Sequence, residues 1–99
     1  MRVELAQAAE RDLRQIVLLV GTENPGRVVS FALDLRSAAR ELGDAPDRFQ
    51  FVAAHGRETV RKRSYRNYQI FFRHDSDRVI VLRIVHATNL TADFPEGSK

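Results

Sequence analysis

The chain has 99 residues, 43% of them hydrophobic, and a formal net charge of +3. That is one small domain with a thin core, of a size that a bound partner often stabilises. The absence of cysteine excludes disulfides and thiolate metal sites. The N-terminus does not read as a secretion signal and no window approaches the roughly 18 apolar residues of a membrane helix, so a cytoplasmic protein is expected.

In chain order, Arg2 to Ala6 alternates and predicts a short edge strand. Ala9, Leu13, Ile16 and Val20 then fall on one face of a helix, and Gly21 to Gly26, with Asn24-Pro25-Gly26, breaks it. Val28, Ala32, Leu35, Ala39 and Leu42 repeat the helical spacing, and Gly43 is placed to end it. Two helices with a short connection form an antiparallel hairpin. The run Ile16-Val-Leu-Leu-Val20 is apolar all round, more than one buried stripe needs, so either the first helix is sandwiched or Val17 and Leu18 face outward for a partner to cover.

Asp44 to Asp47 reads as a turn, and Phe49 to Ala54 as either irregular or a short extended piece. Glu58 to Arg63 alternates, Ser64 to Asn67 turns, and Tyr68 to His74 is rich in aromatic and β-branched residues. Asp75-Ser-Asp77 is a second hairpin turn before Val79 to His86, whose Ile80, Leu82 and Ile84 are expected to face the helices. The order is β-α-α-β-β-β: an α+β single domain with a helical hairpin on one face of a largely antiparallel sheet, the first strand beside the meander and the last strand central. Residues 1–90 form the domain and residues 91–99 a flexible tail.

Charge is unevenly spread. Arg57, Arg61, Lys62, Arg63, Arg66 and Arg73 lie close together, whereas acids gather at Glu41 to Asp47 and at Asp75 to Asp77. Such a stretch suits nucleic acid, an acidic protein segment or plain solvent. Arg61 and Arg63 should share one face, with Lys62 opposite. The histidines are scattered and no carboxylate stands at ligand spacing, so no metal is expected. His55 and His74 sit in or beside turns and receive no role.

The motif Ala9-x-x-Asp12-Leu13-x-x-Ile16 resembles the start of the first helix in the RelE/ParE superfamily of bacterial type II toxins. Val60-Arg61 followed by Tyr68-x-Ile70-x-Phe72-Arg73 resembles its strand pair, and Asp77-Arg78-Val79 with Ile84-Val85-His86 its last hairpin. The resemblance spans about Val3 to Asn89 and implies this fold, no cofactor, and an antitoxin partner in a hetero-oligomer. RelE-like members cleave messenger RNA on the ribosome; ParE-like members poison DNA gyrase. A metal-free RNase needs a general acid and base and cations on the phosphate. Gln69 and Asn89 stand where the resemblance would put two of those arginines, a loss of about 2–4 kcal/mol each in transition-state stabilisation. Arg61, Arg63, Arg73 and His86 would remain as the RNase set.

The sequence around Val79 to His86 looks more like ParE, although the His-x-x-Arg-Asp ending often found there is His86-Ala-Thr-Asn89-Leu90 here. The resemblance implies a gyrase-inhibiting toxin neutralised by a ParD-like antitoxin whose acidic C-terminal segment orders on binding. Val17, Leu18, Phe31, Arg61, Arg63 and Arg73 are the expected contacts, with Phe31 alternatively in the core. The alternatives are a ribosome-dependent endoribonuclease and a degenerate, non-toxic partner of an antitoxin.

Overall fold

The two apolar stripes of the first half fold as helices where their period puts them. The structure, a computed structural model, describes residues 1–55 and 58–87, the side chain of His55 excepted; Asn89 and the expected tail 91–99 lie outside the described residues. The elements are β1 (Arg2–Leu5), α1 (Gln7–Glu23), α2 (Val28–Arg40), β2 (Gln50–His55), β3 (Glu58–Tyr65), β4 (Tyr68–His74) and β5 (Arg78–His86). Short 3-10 turns at Pro25–Arg27, Glu41–Gly43 and Pro46–Arg48 join them.

α1 runs through Gly21 to Glu23, past the expected break. There the helices approach closely: a Cβ on Gly21 would lie 3.1 Å from Val28 Cγ2. The glycine serves packing rather than helix termination. α2 ends at Arg40, and Leu42 and Gly43 continue in a tighter turn.

The five strands are ordered β1-β5-β4-β3-β2. β1 lies parallel to β5, in register Val3↔Val79 and Leu5↔Val81, while every other pair is antiparallel. The first strand thus pairs beside the meander as expected; β5 is interior and β4 is the middle strand. Phe49 to Ala54 resolves into β2, the fifth strand, which the sequence left open.

Ala9, Leu13 and Ile16 of α1 and Phe31, Leu35, Ala38 and Ala39 of α2 pack on Tyr68, Ile70 and Phe72 of β4 and on Val79, Val81 and Ile84 of β5. Each large apolar side chain buried here contributes about 1.5–3 kcal/mol. The expected Ile80-Leu82-Ile84 face is corrected by a register shift: Phe71 pairs with Arg83 but Phe72 with Val81, so Leu82 is an extra residue. The bulge switches parity. Val79 and Val81 face the helices before it and Ile84 after it, while Ile80 falls outside the helix-side core.

Candidate functional site

β3 alternates, and its register decides where the strand cations point. Arg61 pairs with Phe72 and Arg63 with Ile70, both core-facing, so the two arginines lie on the helix side and Lys62 on the other. Arg61 Nη1 donates to the Phe49 carbonyl at 2.9 Å, and its Nε stands 3.9 Å from Asp47 Oδ1. Arg63 Nη1 donates to the Ala38 carbonyl at 2.7 Å and to Glu41 Oε1 at 2.9 Å. Its guanidinium also lies over the rings of Phe49 and Tyr65, 5.6 and 5.9 Å from their centroids. Arg63 therefore satisfies an orphan carbonyl at the end of α2, where the helix dipole also favours a cation. Arg73 points to the opposite face, opposite Ile80, and pairs with Glu58 at 3.4 Å.

The sheet thus sets one of the four residues that an RNase would have to combine on the face away from the other three. Arg61 and Arg63 are on the helix side, where β4–β5 pairing also puts His86, and Arg73 is on the other. The His86 ring stands edge-on to Tyr68, with centroids 5.2 Å apart. Burial, with a smaller contribution from Glu23, raises the Tyr68 phenol above its ordinary pKa. Gln69 and Ser64 hydrogen-bond each other, the Gln69 Nε2 donating at 2.9 Å. His74 Nε2 meets Asp47 Oδ1 at 2.9 Å. Among the described residues no three His, Cys, Asp or Glu could hold a metal ion.

The helical hairpin carries a different kind of surface. A groove of about 540 Å³ runs between α1 and α2, lined by Leu5, Glu10, Leu13, Arg14, Val17, Leu18, Ala32 and Arg36. Leu18 is 64% exposed, and on α2 Val29 and Leu33 are 71% and 56% exposed. A second, smaller cleft of about 220 Å³ shares Leu5, Leu13 and Arg36 and is also lined by Val3, Leu35, Ala39, Arg40 and Ile84. Arg14, Arg36 and Arg40 are exposed, and the ion pairs among the described residues include none of them. Arg14, Arg36 and Arg40 on the hairpin thus stand outside these ion pairs, while Arg61, Arg63 and Arg73 are engaged within the molecule.

Of the apolar contacts expected from the sequence, Val17 and Leu18 both line the groove. Phe31 does not: it is 7% exposed, in the core, with its ring edge-on to Tyr68 at 5.8 Å. Sequence reasoning missed Arg14, Val29, Leu33, Arg36 and Arg40. A signal for the α2 members was present, since 29, 33, 36 and 40 form a second helical stripe beside the buried one.

Asp12, noted in the sequence only for its spacing, ties the hairpin to the sheet. Its Oδ2 accepts from Arg83 Nε at 2.6 Å and from the Ile84 N–H at 2.9 Å, and its Oδ1 accepts from Arg83 Nη2 at 3.1 Å. β1 stops pairing at Leu5↔Val81. Beyond that point no strand of the described residues lies beside the outer edge of β5, and the Asp12 carboxylate takes the Ile84 N–H that a longer β1 would have used.

Comparisons with known proteins agree with this architecture. A chain of the chromosomal ParDE toxin–antitoxin system from P. aeruginosa is similar in structure, with a TM-score of 0.72 at 17% identity, over 87% of this chain and 95% of that one. A chain of the RelBE2 toxin–antitoxin complex from Mycobacterium tuberculosis is similar with a TM-score of 0.55 at 21% identity, over 93% of this chain and 92% of that one. At these identities the likeness is one of fold. No curated protein matches the chain. The family model of the ParE toxin of the type II toxin–antitoxin system parDE matches residues 3–90. The chain belongs to that family of toxins.

Proposed function

We propose that this toxin acts by inhibiting DNA gyrase in the cytoplasm and is held inactive by a ParD-like antitoxin seated in the hairpin groove. The observation that carries the choice of target is the dispersal of Arg61, Arg63 and Arg73. Two lie on one face and one on the other, each bonded within the molecule. A metal-free RNase needs cations converging on one phosphate, with a general acid or base in reach. Gyrase inhibition requires a binding surface and makes no such demand.

The groove suits an amphipathic segment. Its lining residues Leu13, Val17, Leu18 and Ala32 offer apolar contacts, and Val29 and Leu33 add exposed apolar surface on α2. Arg14, Arg36 and Arg40 offer charge to acidic side chains. A segment disordered when free would order on binding, at a cost of about 2–5 kcal/mol of its gross interaction energy. Arg61, Arg63 and Arg73 are the secondary contacts of this reading, since each would have to exchange an internal partner.

The test is induction of the chain without its antitoxin, following the DNA-damage response and message integrity together. Gyrase inhibition predicts SOS induction with intact messages. Rapid codon-linked message cleavage without SOS induction assigns the RelE-like activity instead, and no growth defect assigns a non-toxic antitoxin partner.

A further inference from the structure

We infer that Asp12 is a positioning residue for antitoxin recognition: it fixes the roll of α1, and through it the shape of the groove. The inference rests on the groove being the antitoxin site. Ala9, Leu13 and Ile16 hold α1 on β5 by burial, which is non-directional and tolerates rotation about the helix axis. Directional bonds do not. Among the described residues, those joining the start of α1 to β5 are the Ala6 N–H to the Val81 carbonyl at 2.8 Å and the three of Asp12.

The Ala6 bond lies at the helix end, close to the axis, and fixes position more than rotation. The Asp12 bonds lie on the flank of the helix, and the side chains of Asp12 and Arg83 are largely buried, at 16% and 24% exposed. Bidentate pairing with a guanidinium adds geometric specificity to the attraction. Arg14 follows Asp12 by two residues, hence by about 200° around the helix. Asp12 thus grips the sheet from one flank while Leu13 and Arg14, in the same turn, present the groove from the other. A roll of about 20° on a helix of ~5–6 Å radius moves surface side chains by about 2 Å. That is enough to narrow or open a groove built to seat one segment.

The experiment compares antitoxin binding with stability. The antitoxin is recovered by co-expressing this chain with the reading frame immediately upstream, and affinity is measured by calorimetry on the separated proteins. Asp12→Asn should weaken binding at least tenfold at a temperature where its circular dichroism is that of the folded protein. Val60→Ala, in the sheet and away from the groove, should also lower Tm, because Val60 is buried, and should stay within threefold of wild type. Should Asp12→Asn not fold, Asp12→Glu keeps the charge but adds a methylene, and should keep most of the Tm while losing affinity. Binding by the Asp12 variants no weaker than that of Val60→Ala overturns the inference. If the Arg14→Ala/Arg36→Ala double variant weakens binding and the Asp12 variants do not, only this inference fails. If the double variant also binds as wild type, the groove reading itself has failed.

Discussion

Arg63 sits beneath the end of α2 and bonds the Ala38 carbonyl and the Glu41 carboxylate. A hydrogen bond involving a charged group contributes about 1.5–3 kcal/mol, and truncation leaves the carbonyl without its partner. Arg63→Ala should therefore lower stability by about that amount in urea unfolding. It should weaken antitoxin binding less than Arg14→Ala or Arg36→Ala does, because Arg63 is already engaged. Tyr68 gives a prediction on the alkaline side. Its phenol is raised by burial and by Glu23, so the fold favours the neutral form. The associated stability is fully present below the ordinary phenol pKa near 10 and is lost as pH rises through the raised, folded-state value. Urea unfolding followed from pH 9 upward should show that loss in the wild type and a smaller one in Tyr68→Phe.

At the scale of elements, the turn after α2 depends on Gly43. A Cβ there would stand 2.3 Å from the Met1 carbonyl oxygen and 3.1 Å from Val3 Cγ2, so β1 would have to shift. Overpacking of this kind costs about 1–3 kcal/mol, and each kcal/mol lowers Tm by roughly 4–8 °C in a domain of this size. Gly43→Ala should show that drop in a thermal melt. Both helices and β1, β3, β4 and β5 were legible in the sequence because each buries one stripe at its own period. β2 was not: Gln50-Phe-Val-Ala-Ala54 has little alternation, and its pairing with β3 shifts register between Phe51 and Ala53. The bulge at Leu82 was hidden for a similar reason, since period-2 reading assumes unbroken pairing. The candidate site was half legible. Val17 and Leu18 stood out as surplus apolar residues, but whether an arginine is engaged depends on partners such as Ala38 and Glu41, far away in the chain. The contact between Asp12 and Arg83 likewise spans 71 positions and leaves no local mark.

Among the described residues, Arg61, Arg63 and Arg73 of the sheet are paired, whereas Arg14 and Arg36 beside the apolar groove are in none of the ion pairs. Leu18, which lines the groove, and Val29 and Leu33 of α2 are the most exposed large apolar residues of the hairpin, and an exposed apolar patch rimmed by polar groups marks an interaction site. Leu18→Ser combined with Leu33→Ser should leave stability within about 0.5 kcal/mol, as surface substitutions do, while reducing antitoxin affinity at least tenfold in a calorimetric titration. The proposed target is tested most directly by adding the purified chain to a gyrase supercoiling reaction, with and without equimolar antitoxin. The account predicts that the chain stops supercoiling and that the antitoxin restores it. Unimpeded supercoiling at saturating toxin, with message cleavage in a parallel ribosome reaction, would contradict it.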